Sequence, residues 1–486
     1  MGSLELVSVP MNYQPTIGLE VHAQLLSQSK LFCGASTRFG QEPNAHVHAL
    51  CMAMPGALPK LNAAAVDMAI LTGLALHCQI NLESRWDRKH YFYPDLPSGF
   101  QVTQNELPIC EHGLLSVPSA EGERPIRIRR IHMEEDAGKL MHDAQSGASL
   151  VDLNRAGVPL LEIVSAPDIQ TAEEAAAYLR ALRDILVYIG VNDGNLEEGS
   201  FRCDANVSIA PQGSTTLGTR VEIKNINSFR YVQKAIEYEI ARQVSVLESG
   251  GQLVQETRLW DSEKGQTRSM RSKENAQDYR YFPEPNLPPL RITKSQVEAL
   301  KKTLPELPRA KCRRYIESLG LPAYDASVLT AERPLAEYFE ACLAHYGDAK
   351  KLSNWLMGEL LRMMKEEETP LSDLRFSKEQ FAHLLKAVDA GKVSLNAAKE
   401  VFAEMFRTGE EPERIVEAKG LSQVSDEGAI EAAIAAVLQA HPEEVEKYRA
   451  GKKQVFGFLV GQVMKAMKGK ANPAVVNELL RGHLSV

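Results

Sequence analysis

Residues 132–140 read HMEEDAGKL. Three adjacent carboxylates, Glu134, Glu135 and Asp136, follow a histidine and precede Gly138 and Lys139. Carboxylates this dense repel one another unless a cation holds them, and hard divalent cations take oxygen ligands of this kind. The preceding RPIRIRRI (124–131) alternates as a strand does. If the strand continues through IHMEED, Glu134 and Asp136 project to one side and Glu135 to the other.

Other segments repeat the theme. VDLNRAGVPLLEIV (151–164) carries Asp152, Asn154, Arg155 and Glu162. Glu162 is flanked by Leu160, Leu161, Ile163 and Val164, where a carboxylate is costly to bury without a compensating cation or donor. IGLEVHAQL (17–25) places Glu20, His22 and Gln24 on one face, against Ile17, Leu19, Val21, Ala23 and Leu25 on the other. FRCDANVSIA (201–210) does the same with Arg202, Asp204, Asn206 and Ser208, and TRVEIKNIN (219–227) with Arg220, Glu222 and Lys224. NLEEGSFRCD adds Glu197 and Glu198. The pattern implies an antiparallel sheet, apolar beneath and polar above. Its polar side is rich in the side chains that bind hard metals and phosphates. Many oxygens with one histidine suit Mg²⁺ or Mn²⁺ bridged to nucleotide phosphates better than zinc. No G-x-x-x-x-G-K-[ST] loop or dinucleotide fingerprint is present, so ATP would rest on a metal-bearing sheet.

The chain has 486 residues, which sets a prior of two to four domains. Its 44% hydrophobic and 24% charged content is that of a soluble globular protein. The net charge of -8 argues against a chain that coats nucleic acid but leaves room for a local basic patch. No apolar stretch approaches the roughly 18 residues of a membrane span, and no leader is expected at the start. The seven scattered cysteines suit reduced thiols in the cytoplasm.

Strands and two helices are expected up to about residue 290. One helix starts at Thr171, whose spacing to Glu174 is a capping box, and carries Tyr178, Leu179, Leu182, Ile185, Leu186 and Ile189 at helical period. The other runs from about Phe229 to Ser249 and stops at Gly250-Gly251. After YFPEPNLPPL (281–290) the chain reads as helix after helix, with a further boundary near FRTGEEPE (406–413). Three domains are expected: 1–292, 293–408 and 409–486. The fold class is α+β followed by all-α parts. The end is basic, with Lys452, Lys453, Lys465, Lys468, Lys470 and Arg481 against the single acid Glu478 within 451–482. These lysines suit contact with an RNA backbone.

IGLEVHAQL, DRKHYFYPDLP, HMEEDAGK, VDLNRAGVPLLEIV, EEGSFRCDANVS, EIKNINSF and DYRYFPEP together resemble the signature blocks of one family, the B subunits of aspartyl/glutamyl-tRNA(Asn/Gln) amidotransferases. GFLVGQVMKAMKGKANPAVVNELL resembles the family's tail. The resemblance runs from about residue 16 to 485. It implies a cradle-shaped catalytic domain with a glutamine-synthetase-like sheet, then a helical domain and a tRNA-gripping helical tail. It also implies a heterotrimer with an amidase (the A subunit), which frees ammonia from glutamine, and a small C subunit. The substrates implied are mischarged Glu-tRNA(Gln), Asp-tRNA(Asn) or both. ATP and Mg²⁺ would serve to phosphorylate the tRNA-bound side-chain carboxylate before ammonia displaces the phosphate. The family motifs put Mg²⁺ on Glu20, His22, Glu135 and Glu162, with Glu134 and Asp204 nearby. Arg202, Arg155, Lys89 and Asn206 are candidates for phosphate, carboxylate or nucleotide contacts, Arg155 equally for a structural ion pair. Lys139 and Lys224 stand evenly between site and scaffold.

The chain departs from the family pattern at its N-terminal cysteines. Cys33 is present, but Ala35 takes the second place of the first pair, and His48 and Cys51 occupy the second pair. Structural zinc is normally closed by four ligands, so an ordinary reduced loop is expected, with Cys33, His48 and Cys51 the candidate ligands and His46 a substitute fourth. Ser98 and Asn286 stand where the family has Lys and Asp. Two other readings remain open: an amide ligase on a small free acid, and a non-catalytic tRNA-binding protein. The basic tail speaks against the first. Glu162, Glu20 and His22 speak against the second.

Overall fold

A computed structural model describes residues 12–119, 122–143, 147–272, 278–423, 427–467 and 471–485. The chain divides into two compact units, Met1–Leu307 and Pro308–Val486.

The first unit is built on a nine-stranded sheet. From one edge its strands are Gln266–Ser272, Glu256–Asp261, Val221–Ile226, Phe201–Pro211, Tyr13–Gln24, Pro159–Ser165, Gly122–Glu135, Cys110–Ser119 and Gln79–Ile80. Neighbours are antiparallel except Val221–Ile226 and Glu256–Asp261, which run parallel, so the expected antiparallel sheet holds with one exception. Alternation decides the faces. Ile17, Leu19, Val21 and Ala23, with Cys203, Ala205, Val207, Ile131, Met133, Leu161 and Ile163, are buried in one apolar core. Complete burial of each large aliphatic chain is worth about 1.5–3 kcal/mol.

Three helices belong to this core. Ala172–Tyr188 is capped by the Thr171 hydroxyl, which accepts the Glu174 N–H at 3.1 Å. The Glu174 carboxylate closes back on the N–H of Gln170, one residue earlier than a capping box requires. Phe229–Glu248 is capped by Ser228. Ala63–Ala75, capped by Asn62, is a helix that the periodicity does not announce: its outward side is as apolar as its inward side, so it has little amphipathic signal. The helix Lys294–Thr303 packs on Ala63–Ala75, and Gln296 donates to Asp67 at 2.8 Å. A small sheet of Phe282–Pro283, Asp87–His90 and Phe100–Thr103 meets the end of Gly122–Glu135.

The second unit is helical and holds two apolar clusters. One runs from Tyr315 to Val416 and includes the contacting rings of Trp355, Phe376, Phe381, Phe402 and Phe406. Its helix Lys378–Asp389 opens with a complete Ser377/Gln380 capping box. Ile415 and Val416 belong to this cluster, so the last core begins beyond them, with Ile430, Ile434, Leu459, Val463, Val476 and Leu480. Among the described residues no helix is long and apolar enough to cross a membrane.

Candidate active site

Strand register assembles the polar face from distant segments. His22 lies opposite Glu162 on one neighbouring strand and opposite Arg202 on the other, and Glu162 lies opposite His132. Side chains directly opposed on one face are close enough to touch. The His22 Nε2 atom is 3.5 Å from Glu162 Oε2 and 3.6 Å from Glu134 Oε1. The His132 Nε2 atom is 3.2 Å from Glu162 Oε2 and 3.7 Å from Glu134 Oε2. The cost of placing Glu162 in an apolar strand is thus offset by two imidazoles. Burial opposes the charge, but His132 and then His22 hold Glu162 well below the usual carboxylate range. In turn, against burial, Glu162 and Glu134 raise His132 to about 9 and also raise His22.

Three donors, on His22, Glu134 and Glu162, lie within 4.8 Å of one another. Adjacent ligands of an octahedral Mg²⁺ are separated by about 3 Å, given bonds of about 2.1 Å. The contacts of 3.5 and 3.6 Å therefore need only a modest contraction, and two carboxylates with one imidazole are suitable chemistry. The residues fit the ion.

Around this cluster the expected residues separate into groups. Glu20 sits opposite Asp204, accepts from Asn206 Nδ2 at 2.9 Å, and is pushed up by burial and by the charges of Glu162, Glu222 and Asp204. Lys224 bridges Asp204 at 2.5 Å and Glu222 at 3.1 Å. This second carboxylate patch adjoins the three-donor cluster. Lys89 enters from the small sheet, its ammonium 4.9 Å from the centre of the Tyr279 ring and 5.8 Å from that of Tyr91. Although burial opposes it, Glu134 raises the lysine, with smaller help from Tyr281 and Glu162.

Asp136 anchors the rim. It receives Arg202 Nη2 at 3.0 and 3.1 Å and Gln24 Nε2 at 2.8 Å. Against burial, Arg202 and Arg155 hold it low. Arg155 spends its donors on the carbonyls of Ala137 at 2.9 Å and Gly138 at 2.6 Å, which ties it to the turn itself. That turn is tightly packed: a Cβ on Gly138 would lie 2.9 Å from the Asp152 carbonyl. Glu135, expected among the Mg²⁺ ligands, lies apart from the three-donor cluster. As the alternation requires, it turns to the other face, where its carboxylate accepts the Val102 N–H at 3.0 Å and burial pushes it up to about 7.

His132 joins the cluster without having been expected there. The signal for it is its two-residue spacing from Glu134, which puts both on one face. Of the tail lysines, Lys452, Lys453 and Lys465 are exposed, while Lys468 and Lys470 lie outside the described residues. Of the zinc candidates, Cys33 and Cys51 lie with their sulfurs 3.8 Å apart, whereas His48 Nδ1 accepts the Leu50 N–H. Asn286 donates its backbone N–H and its side-chain amide to Glu284, the partner of Arg88; an ionised aspartate could not make the second bond.

A model of the GatB/GatE catalytic domain matches residues 15–298, and one of the GatB domain matches residues 337–484. The chain belongs to the GatB family. It is 66% identical over 473 residues, 97% of this chain and 99% of the relative, to the B subunit of the aspartyl/glutamyl-tRNA(Asn/Gln) amidotransferase of Myxococcus xanthus (strain DK1622). It is 57% identical over 478 residues to the same protein of Anaeromyxobacter sp. (strain K), covering 97% and 99% of the two chains. It is 56% identical over 475 residues to that of Trichlorobacter lovleyi, covering 98% and 100%. Together the two GatB matches reach into both the sheet unit and the helical unit.

Proposed function

We propose that this chain is the component of a cytoplasmic glutamine-dependent amidotransferase that activates the side-chain carboxylate of tRNA-bound glutamate or aspartate with ATP. The observation that carries the reading is the His22–Glu134–Glu162 donor set, with Lys89 beside it, on the polar face of a large sheet. In this reading the sheet is a cradle of the glutamine-synthetase type. We draw the chain's three domains along the apolar cores, at about 1–307, 308–421 and 422–486, somewhat beyond the expected 1–292, 293–408 and 409–486.

His22, Glu134 and Glu162 would hold Mg²⁺, with Glu20 and Asp204 available beside them. Bound there, the ion would neutralise phosphate charge as the phosphoryl group moves. Lys89 reaches a phosphate oxygen from the small sheet. Arg202, steered by Asp136, presents its guanidinium to the substrate carboxylate, and fork-shaped donors suit that partner. His132 keeps Glu162 anionic. A carboxylate is a poor electrophile, so its conversion to an acyl phosphate supplies the leaving group that ammonia then displaces. The amidase (the A subunit) supplies the ammonia, and a small C subunit completes the heterotrimer. Lys452, Lys453, Lys465, Lys468 and Lys470 hold the tRNA backbone.

The test is ATP turnover by the reconstituted heterotrimer with and without mischarged tRNA. Stimulation by the mischarged tRNA, lost in His22→Ala while glutamine hydrolysis survives, supports the reading. Turnover driven equally well by free glutamate or aspartate would favour a small-acid ligase. Wild-type turnover in His22→Ala would remove the donor set from the reaction.

A further inference from the structure

Two thiols meet outside the candidate active site. Cys33 and Cys51 are both partly exposed, and their sulfurs are 3.8 Å apart. Bonded sulfurs are separated by about 2.05 Å, so a disulfide requires a small closing movement. The backbone near each thiol is pinned. The Lys30 N–H donates to the Ala35 carbonyl at 3.0 Å and the Lys60 N–H to that of Phe32 at 2.8 Å. The Met54 N–H donates to Ala49 at 2.9 Å. Beside them lies a fully buried lysine, Lys30, whose ammonium contacts Cys51 Sγ at 3.3 Å and the Leu153 carbonyl at 3.0 Å. A cation shut away from water needs a strongly polar or anionic neighbour. Against burial, the neighbouring Cys33 and then Lys30 favour the thiolate of Cys51, the nucleophilic form.

Zinc does not account for the pair. Ala35 removes one donor and His48 Nδ1 takes the Leu50 N–H. Among the described residues, the groups of three or more metal-ligating side chains are His22–Glu134–Glu162 and the exposed His383–Glu411–Glu413, neither of which contains a cysteine.

We propose that Cys33 and Cys51 form a modification site that a small hydroperoxide oxidises reversibly to an intramolecular disulfide. The Cys51 sulfur attacks one peroxide oxygen: an S–O bond forms, the O–O bond breaks and hydroxide leaves. The Cys33 sulfur then attacks the sulfenic sulfur: the S–S bond forms, the S–O bond breaks and that oxygen departs as water with the Cys33 proton. Hydroxide takes up the proton that Cys51 gave up. With hydrogen peroxide, two electrons pass from the two thiols and two waters result. A dithiol reductant restores the pair.

The test treats the heterotrimer with a small molar excess of hydrogen peroxide, alkylates remaining thiols, and maps peptides by mass spectrometry without reduction. The expected product is the peptide of Cys33 joined to that of Cys51, which disappears on treatment with a dithiol. In Cys33→Ser, dimedone should instead label Cys51, and in Cys51→Ser neither label nor cross-link should form. Zinc in the purified protein should be far below one atom per chain. Failure of the native protein to cross-link, cross-linking only after denaturation, or one bound zinc with protected thiols would overturn the proposal. The wild-type map decides even where a variant does not fold.

Discussion

The donor set makes a sharp distinction between nearby glutamates. Glu162→Gln preserves shape but removes one of the two carboxylate charges within 4.8 Å of the other donors. Two unit charges at 4 Å interact by about 4 kcal/mol at an effective dielectric constant of about 20, and a divalent ion doubles that. The amide oxygen remains a neutral ligand and returns much of the loss, leaving about 3 kcal/mol. That corresponds to a roughly hundredfold rise in the Mg²⁺ concentration required. Glu135→Gln removes a charge that faces away from the donors and accepts the Val102 N–H. Its Mg²⁺ requirement should change by less than about fivefold, and its amide oxygen can still accept the Val102 N–H. The assay is a Mg²⁺ titration of tRNA-stimulated ATP hydrolysis by the heterotrimer, with glutamine hydrolysis as the control for assembly. Equal Mg²⁺ requirements in wild type and Glu162→Gln would refute the argument. So would a larger shift in Glu135→Gln than in Glu162→Gln.

Three further outcomes are expected. Asp136→Asn should destabilise the sheet unit by about 1–2 kcal/mol at neutral pH, because the buried carboxylate loses its ion pair while Arg202, about a third exposed, keeps some water. The folded-state pKa of Asp136 is depressed, so its contribution is fully present above the unfolded value of about 3.9 and is lost as pH falls through the lower folded value. Denaturant melts of wild type and variant should therefore converge in acid and separate above about pH 4. Replacing Lys452, Lys453 and Lys465 together by Ala should weaken tRNA binding and flatten its salt dependence, by about 0.7–0.9 in log–log slope for each phosphate neutralised by these lysines. An unchanged slope in filter binding would place the tRNA elsewhere. Phe402→Ala removes a ring that packs against Trp355, Phe376, Phe381 and Phe406, and should cost the helical unit about 3–5 kcal/mol in a denaturant melt.

Local features of this protein are legible in the order of its residues. Period-two alternation identifies the polar and apolar faces of the Tyr13–Gln24 and Phe201–Pro211 strands, because facing within one strand depends only on position along it. The Ser377 cap and the Gly250 stop are likewise legible, since both act within a turn or two of chain. The helix Ala63–Ala75 is not, having no polar side to mark it. Resemblance puts Glu20, His22, Glu135 and Glu162 in one set, but only strand pairing selects which side chains meet. Register sets His22 against Glu162 and Glu162 against His132, and carries Glu134 to the donor side while Glu135 turns to Val102. Packing likewise assigns Ile415 and Val416 to the second cluster and brings Lys30 against Cys51. The physical reason is the same in each case: periodicity and capping are local, whereas register and side-chain meeting depend on which distant strands pair and what fills the space between them.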